Sequence, residues 1–536
     1  MCDETPRLAE ARRGFSIRYR GKNLLSLYDP ITQAEKLADA AEKMERTLFL
    51  CPSPLLGYGL QRLLDTMGDD SALLCVESDE KLMALSREAI GQAILDHPRF
   101  RLTHIRGAAQ LCAFVKDTWG QRSFRRVTEL KLNGGWQLDP DLYASLADAL
   151  RREITLDWSN AITLMTLGRR YARNTVRNLA LLPAARRLGE LNYGSQPLLV
   201  LGAGPSLDPL LERLIGTYPS ARDPRTRPFR IICVDTALPA LRARDIKPDL
   251  AVALEAQHWN LRDFIGLKGW NIPLLMDLSA LPASAGALGG ELYLFMTCWT
   301  SLSLFDRLEQ AGLIHDRVPP LGSVGISAAE IALRLSGGPV LIGGIDFSFT
   351  LDAFHARSSP SSLSGLARQN RLTGLIRPET AFSKGSLKIQ SKSGDGVRST
   401  HGMLSYRNIF EQEFSGESRL KDTLSSGLPL GIPALGPEEA FSILLDATPP
   451  ETERAESGSI DSPAPPDKER LRESCAAFIR SEQETLRELR RMLTGEGKAR
   501  QDSLDTLLDR ADYLWAHFPE CAGRGGRRPD SGDISF

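Results

Sequence analysis

An α/β fold is indicated by one stretch in the middle of the chain, Pro197-Leu-Leu-Val-Leu-Gly202-Ala-Gly204-Pro-Ser206-Leu-Asp208. In it an apolar strand runs into a Gly-rich turn that opens a helix. Glycines there permit a tight turn and a close approach of the backbone, and the free N–H groups of a helix N-terminus attract phosphate. Position 207 is Leu, so the stretch departs from the Gly-x-Gly-x-x-Gly dinucleotide pattern. The alternative interpretation is a plain strand–helix turn in which Ser206 or Asp208 caps the helix.

Further apolar runs follow this stretch at the spacing of strands that alternate with helices, which predicts a doubly wound parallel sheet. The runs are Phe229-Arg-Ile-Ile-Cys-Val-Asp235, Leu250-Ala-Val-Ala-Leu-Glu255, Ile272-Pro-Leu-Leu-Met-Asp277, Glu291-Leu-Tyr-Leu-Phe-Met-Thr297 and Pro339-Val-Leu-Ile-Gly-Gly-Ile-Asp346. Asp235, Glu255 and Asp346 stand at strand ends, on the edge where open α/β sheets bind ligands. Either Asp235 or Glu255 could accept a hydrogen bond from a sugar hydroxyl or hold a metal ion, or simply cap the next helix. Ser323 lies in a second Gly/Ser turn that opens a helix.

The rest of the chain divides around this sheet. We expect a Rossmann-like α/β domain at 1–110, a mainly helical connector at 111–195, the central α/β domain at 196–445 and a helical region at 468–520. A Pro/Ser/Glu linker is predicted at 446–467 and a disordered tail at 521–536. The 536 residues are too many for one ordinary core and fit roughly three to four domains.

Composition excludes more than it explains. Hydrophobic residues make up 42% and charged residues 25%, which is typical of a globular protein. The 66 Lys and Arg nearly balance the 67 Asp and Glu, so a net charge of -1 gives no global attraction to nucleic acid or to an anionic membrane. The charged N-terminal segment has no signal-peptide pattern and no run is long enough to span a bilayer. The 8 cysteines are scattered without a C-x-x-C pair, which predicts a cytoplasmic protein with no zinc site.

Taken in order, these motifs resemble a known family. The runs Gly-Ala-Gly-Pro-Ser-Leu-Asp from Gly202, Val234-Asp-Thr-Ala-Leu-Pro and Gly343-Gly-Ile-Asp-Phe-Ser-Phe resemble the Maf motility-accessory-factor glycosyltransferases. They are also similar to the bacterial sialyltransferases of glycosyltransferase family 42. The resemblance is strongest over about residues 165–440.

The resemblance implies a cytoplasmic enzyme that transfers a nonulosonic acid, such as pseudaminic acid, from a CMP-activated donor to Ser or Thr of flagellin. It implies partners that are flagellin and the CMP-sugar, with no nucleic acid and no membrane, and it leaves open a divalent metal ion. Its donor-binding residues would be Gly202, Gly204, Ser206, Asp235, Glu255, Ser323 and Asp346. For the catalytic base of an inverting transfer it offers His355 and His401, with His355 favoured by its His-Ala pair. A surface position for either histidine is the alternative.

Two further segments carry weaker expectations. The basic stretch 357–398 shows little apolar pattern, and we interpret it as a lid over an anionic donor or as a solvated insertion. Between Arg357 and Arg398 it carries the cations Arg368, Arg371, Arg377, Lys384, Lys388 and Lys392. In the N-terminal domain, Gly57 and Gly59 follow a strand and Glu77 ends the next, but Pro54 replaces the first expected glycine. That domain is therefore predicted to serve packing or partner recognition rather than nucleotide binding.

Two other functions stay open at this point. Archaeal pterin diphosphokinases share the Gly-Pro-Ser-Leu turn, but the segment Leu254-Glu-Ala-Gln257 makes a poor metal-binding cluster for their chemistry. The other alternative is a catalytically inactive scaffold that binds flagellin.

Overall fold

The structure is a computed structural model that describes residues 5–120, 123–300, 302–314, 316–351, 353–372, 385–446, 468–494 and 501–517. The chain forms two compact units, Met1–Thr163 and Leu164–Phe536, and each is described by itself. The boundary falls within one long helix, Pro140–Asn178.

The first unit contains a parallel sheet of four strands and a small antiparallel sheet of three. Its strands are β1 (Arg7–Glu10), β2 (Phe15–Tyr19), β3 (Lys22–Asn23), β4 (Thr47–Pro52), β5 (Ala72–Val76), β6 (Phe100–Thr103) and β7 (Arg126–Glu129). The parallel sheet has the order β6-β5-β4-β7. Its helices are α1 (Pro30–Ala40), α2 (Leu60–Thr66), α3 (Glu80–Ala89), α4 (Gln92–Leu95), α5 (Ala108–Trp119) and the start of α6 (Pro140–Asn178).

The central strands of this sheet are apolar apart from Thr47, because both of their faces are covered. Every residue of β4 and β5 is buried, as expected for parallel strands with helices on both sides. The helix α3 begins where Asp79 caps it by accepting hydrogen bonds from the N–H groups of Lys81 and Leu82. Strand β7 lies beyond residue 110, so this sheet draws a strand from the segment expected to be a helical connector.

The second unit is built on one ten-stranded sheet. Its strands are β8 (Arg186–Arg187), β9 (Leu198–Leu201), β10 (Arg230–Val234), β11 (Leu250–Ala253), β12 (Ile272–Asp277), β13 (Gly289–Thr297), β14 (Arg317–Val318), β15 (Val340–Gly343), β18 (Leu420–Thr423) and β19 (Ala434–Leu435). A separate antiparallel hairpin consists of β16 (Ser386–Gln390) and β17 (Gly396–Thr400).

The order of the sheet is β14-β13-β12-β11-β10-β9-β15-β18-β19, and all of these neighbours are parallel. The chain therefore moves outward from β9 to β14, then returns to the other side of β9 at β15. This reversal makes the carboxyl ends of β9 and β15 the topological switch point, which is where open α/β sheets bind ligands.

Helices cover the sheet. They are the end of α6, α7 (Leu207–Thr217), α8 (Leu238–Arg242), α9 (Ser303–Gln310), α10 (Val324–Leu335), α11 (Pro360–Ala367), α12 (His401–Phe414), α13 (Pro437–Leu445), α14 (Lys468–Leu493) and α15 (Gln501–Arg510). Because α11, β16 and β17 lie within it, the stretch 357–398 contains regular elements where the sequence showed little pattern. No helix among the described residues combines the length and the apolar character needed to cross a bilayer.

The C-terminal helices pack on the sheet unit. Cys475 and Phe478 of α14 belong to the main hydrophobic core. Arg307 of α9 makes hydrogen bonds of 3.1 and 3.0 Å to the two carboxylate oxygens of Glu482. Asp512 accepts a 2.5 Å hydrogen bond from the N–H of Ser303, at the start of α9. The C-terminal helices therefore contribute to the packing of the sheet unit.

Candidate functional site

The Gly-rich turn after β9 and the loop after β15 meet at the switch point. The N–H of Gly202 donates to the carbonyl of Gly343 at 2.8 Å, and that of Gly204 donates to the carbonyl of Gly344 at 2.7 Å. A Cβ on Gly202 would lie 2.4 Å from the Gly344 oxygen, closer than any side chain permits. The glycines therefore allow two loops of the protein to approach each other, while the contact to phosphate predicted for Gly202 and Gly204 stays a prediction.

Ser206 and Asp346 are brought into direct contact there. The Ser206 N–H donates to Asp346 Oδ2 at 2.8 Å, and its hydroxyl donates to Oδ1 at 2.5 Å. Asp346 is only 3% exposed; burial raises its pKa, and the Ser206 hydrogen bonds and the Lys392 charge oppose that rise. Ser206 stands at the N-cap position of α7 but makes no side-chain cap bond, since its hydroxyl is engaged by Asp346.

The segment that carries His355 is hydrogen-bonded to the same turn. The N–H of Ala356 donates to the carbonyl of Ala203 at 2.9 Å. The N–H of Arg357 donates to Asp208 Oδ2 at 2.7 Å, and Arg244 holds Oδ1 of that carboxylate at 2.6 Å. Asp208 thus anchors the His355 segment rather than capping α7. This pair of backbone bonds places His355 beside the switch point.

The environment of His355 suits a proton acceptor. Burial lowers the pKa of its imidazole from the ordinary value of 6.5, so the ring is neutral at neutral pH. Its Nδ1 lies 3.2 Å from the hydroxyl of Ser361, in the first turn of α11. A neutral imidazole with one nitrogen held by a neighbour can take a proton on the other.

The second candidate base, His401, occupies a different setting. It is the first residue of α12 and its side chain is exposed. Its helix follows β17, which reaches the segment after β15 through mutual hydrogen bonds of 2.8 and 3.0 Å between Phe349 and Arg398. His401 therefore stands in solvent at a helix start, whereas His355 is bonded into the turn.

The carboxylates predicted after β10 and β11 form a group with a third that the sequence missed. Burial raises the pKa of Asp235 to about 6, against the opposing effect of its hydrogen bonds. Burial and the Asp235 charge raise the pKa of Asp263 to about 7. The hydroxyl of Thr236 lies 3.3 Å from Asp235 Oδ1 and 3.4 Å from Asp263 Oδ2. The half-buried Glu255 adds negative charge to the group and accepts a 2.8 Å bond from its own loop, at Gln257.

The carboxyl groups of Asp235 and Asp263, whose pKa values burial raises, suit hydrogen bonds with ligand hydroxyls. No group of three or more His, Cys, Asp or Glu side chains in the described part of the chain has the arrangement of a metal site.

The second predicted Gly/Ser turn also lies at the switch point. Ser323 is the N-cap residue of α10, and its side chain makes no cap bond. Gly325 packs against Ile345, since a Cβ there would lie 3.3 Å from the Ile345 Cδ1, and Ile345 likewise borders Gly202. The ring of Tyr406 from α12 covers the turn at Gly322. The N-termini of α7 and α10 therefore both open at this edge of the sheet.

Two asparagines of α6 position the loops of this edge, and neither was predicted from the sequence to be a site residue. The Asn174 amide donates to the carbonyls of Ala256 and Ser279 at 3.2 and 3.1 Å. The Asn178 amide donates to the carbonyls of Leu278 and Ala280, both at 2.8 Å. The spacing of four residues puts both on one helix face, which is the only signal that could have marked them.

Lys392, which the sequence placed in a lid over the donor, is paired with an acidic side chain in the structure. It donates a 2.5 Å hydrogen bond to Asp422, and the two side chains are 6% and 2% exposed. The N–H of Lys392 also donates to the carbonyl of Gly427, at 2.9 Å. The prediction that this residue closes over a donor is therefore wrong, because its charge is buried in an ion pair that fixes the hairpin to the sheet. Arg368, Arg371 and Lys388 are exposed, and Arg377 and Lys384 lie outside the described residues.

The corresponding edge of the first unit is filled by its own groups. A Cβ on Gly59 would lie 2.8 Å from the carbonyl oxygen of Ala34, and one on Gly57 would meet Ile90. Glu77 is 1% exposed and accepts a 2.6 Å hydrogen bond from Ser53. Both glycines therefore allow close packing within the first unit, and the use of this domain for packing or partner recognition stays a prediction.

Comparison with known proteins gives three relationships. Residues 169–352 match the family model described as 6-hydroxymethylpterin diphosphokinase MptE-like. An uncharacterized protein of Treponema pallidum (strain Nichols) is 29% identical over 530 residues, 96% of this chain and 90% of that protein. The structure of a Maf glycosyltransferase from Magnetospirillum magneticum AMB-1 superposes with a TM-score of 0.55 at 14% identity, covering 97% of this chain and 86% of that one.

The superposition extends over nearly the whole chain and both units. The α/β fold class predicted from the sequence, with a Rossmann-like first domain, a doubly wound central sheet and C-terminal helices, is confirmed. At the level of the fold, the resemblance to the Maf glycosyltransferases is likewise confirmed.

Proposed function

We propose that this protein is a glycosyltransferase that moves a nonulosonic acid from a CMP-activated donor to Ser or Thr of flagellin. The observation that carries the proposal is the attachment of the His355 segment to the turn at the switch point, through Ala203 and Asp208. A proton acceptor and the N-termini of α7 and α10 then lie at the same edge of the sheet. The likeness of the whole chain to a Maf glycosyltransferase supports the reaction class.

The donor phosphate would lie at the N-termini of α7 and α10, beside Gly204, Ser206 and Ser323. The helix dipoles and the N–H groups of the first turn of α10 favour a negative charge there, while at α7 the N–H groups of Gly204 and Ser206 are engaged by Gly344 and Asp346. Those same groups would stabilise CMP as it departs with the electron pair of the broken glycosidic bond. Asp235 and Glu255 would accept hydrogen bonds from sugar or ribose hydroxyls.

His355 would act as the base of an inverting transfer. The acceptor oxygen bonds to the anomeric carbon, the bond from that carbon to the phosphate oxygen breaks, and the acceptor proton passes to the imidazole. The lowered pKa keeps the imidazole ready to accept this proton at neutral pH. His401 is the second candidate for this role.

The cellular setting of this proposal is the cytoplasm, where flagellin is made before export. The described cysteines, Cys51, Cys75, Cys112, Cys233, Cys298 and Cys475, are all free thiols. Free thiols suit a reducing compartment.

The test is intact-mass analysis of flagellin from cells with and without this protein. We expect flagellin to lose a mass equal to one or more nonulosonic acids when the protein is absent. His355→Ala and His401→Ala, tested separately, would identify the base, and unchanged glycan transfer in both would refute both assignments. Flagellin that binds the protein but never gains mass would instead indicate an inactive scaffold.

A second candidate is a pterin diphosphokinase-like transferase, favoured by the family match over residues 169–352. It predicts transfer of diphosphate from ATP to 6-hydroxymethylpterin. Incubating the purified protein with both substrates, and separately with CMP-sugar and flagellin, would distinguish the two activities.

A further inference from the structure

Helix α11 is unusual because none of its side chains is buried. Leu363 and Leu366, three residues apart on one helix face, are 50% and 48% exposed. Leu372, shortly after the helix, is 92% exposed. Leaving three leucines in water within ten residues forgoes the burial that normally stabilises a helix.

The N-terminal end of α11 is anchored to the His355 segment. Ser359 caps the helix by accepting from the N–H of Ser362 at 3.4 Å, and the Ser362 hydroxyl donates to the carbonyl of Ala356 at 3.1 Å. The hydroxyl of Ser361 lies 3.2 Å from His355 Nδ1. An eight-residue helix is too short to be stable by itself, so its position depends on the His355 segment.

The exposed end of the helix is positively charged. Arg368 and Arg371 follow the helix and are exposed, and residues 353–372 contain no Asp or Glu. A partner for this surface would need apolar side chains for the leucines and carboxylates for the two arginines.

We propose that Leu363, Leu366, Arg368, Arg371 and Leu372, here called the α11 surface, dock an acidic, apolar segment of the acceptor protein. The inference rests on the proposed function and adds the place where flagellin binds. Because Ser361 contacts His355, a segment seated on α11 would bring a neighbouring hydroxyl toward the base. The helix thus links recognition of the acceptor to the reacting centre.

The experiment uses the full-length protein and unmodified flagellin purified from a strain that lacks it. The variant L363S/L366S is compared with L8S/L27S, which removes two leucines of similar exposure from the first unit. Flagellin binding without donor, flagellin glycosylation, and release of CMP from the donor without acceptor are measured for each. We expect L363S/L366S to raise the Kd and the KM for flagellin about tenfold with little change in kcat, and to leave CMP release unchanged.

The charge of the surface is tested with R368Q/R371Q against R480Q/R487Q, which neutralises two exposed arginines of α14. We expect only R368Q/R371Q to weaken flagellin binding and to reduce its dependence on salt. A rise in CMP release with R368Q/R371Q would overturn the inference and return these arginines to a lid over the donor. Unchanged flagellin binding in both α11 variants, or loss of a dimer of this chain on L363S/L366S, would also overturn it.

These outcomes separate the inference from the function on which it rests. Failure of the native protein to release CMP or to modify flagellin would refute the proposed function. Normal transfer by L363S/L366S at native KM would refute the docking surface alone.

Discussion

The two sheets of this protein place a serine and a buried carboxylate at the same kind of position but use them differently. In the first unit, Ser53 follows the central strand β4 and bonds Glu77, from the next strand β5. In the second unit, Ser206 follows β9 and bonds Asp346, from β15 across the switch point. Both carboxylates have raised pKa values because they are buried.

The two serine–carboxylate pairs differ in the groups that surround them. Around Glu77, Tyr143 bonds the N–H of Ser78, His104 contacts the Glu77 carbonyl, and Asn133 donates to the carbonyl of Ser53. Around Asp346, the neighbouring loops carry His355 and the N-termini of α7 and α10. A serine–carboxylate pair at a strand end is therefore a device for holding two loops, and its neighbours decide whether a reaction can follow.

Replacing a histidine in each unit should give the largest difference in glycan transfer between the two units. We expect His355→Ala to lower glycan transfer by about 10²- to 10⁴-fold, since that is the usual contribution of a positioned base. His104→Ala in the first unit should change transfer less than twofold, because its ring contacts only a backbone carbonyl. Equal losses would remove the distinction between the units.

The pH dependence of transfer gives an independent check on His355. The base must be unprotonated, so kcat should rise with pH through a pKa below 6.5 and reach its plateau by neutral pH. A pH–rate profile that still rises above pH 7 would point to another group.

Breaking the buried ion pair of the hairpin should have the next largest effect. Lys392→Met leaves the Asp422 carboxylate buried without its cation, which costs about 3–5 kcal/mol. The double variant Lys392→Met with Asp422→Asn should recover part of that loss, and urea unfolding measures both. Ser53→Ala, which leaves Glu77 with one fewer donor in the first unit, should cost only about 1–3 kcal/mol.

The two glycine turns should differ in function more than in stability. A methyl group on Gly204 would lie 2.4 Å from Asp346 Oδ2, and one on Gly57 would lie 2.8 Å from the Ile90 side chain. We expect Gly204→Ala and Gly57→Ala each to cost about 1–3 kcal/mol. Only Gly204→Ala should lower glycan transfer under conditions where both variants stay folded.

The smallest effect concerns the pH dependence of stability. The pKa of Asp263 is about 7 in the folded chain against a usual 3.8, so the folded state keeps its proton longer than the unfolded state. The stabilisation of the folded state by this bound proton is fully present below pH 3.8 and is lost as the pH rises to about 7. Asp263→Asn should therefore stabilise the protein at pH 8 by about 1–2 kcal/mol, since water screens the partly buried group.

The matched change in the first unit should have a smaller effect. Burial raises the pKa of Glu77, but its carboxylate accepts hydrogen bonds from Ser53 and from the N–H of Asp79. Glu77→Gln removes the buried charge and also replaces one acceptor oxygen with a donor, so it should stabilise the protein at pH 8 less than Asp263→Asn. Thermal unfolding of both variants at pH 5 and pH 8 checks the pair.

The fold could be predicted from the sequence because strands β9, β10, β11 and β15 are short, continuous apolar runs followed by turn residues. It also predicted that Ser206 and Asp346 lie at one edge of the sheet, since the strand ends of a parallel sheet meet there. It missed Asp263 because the segment His258–Phe264 is a 3-10 helix without a hydrophobic period. It misassigned Lys392 because the burial of a charge depends on a partner thirty residues away, which no local pattern reveals.

The bond between Arg307 and Glu482 has a consequence for how the protein is made. Residues 468–517 leave the ribosome after the whole sheet has been synthesised, yet Cys475, Phe478 and Tyr513 belong to its core. Until they arrive, α9 presents an unpaired guanidinium and an uncovered apolar face to the cell. We therefore expect the nascent sheet unit to depend on chaperones up to the last stage of translation, and a chain that stops at residue 446 should be recovered as aggregate.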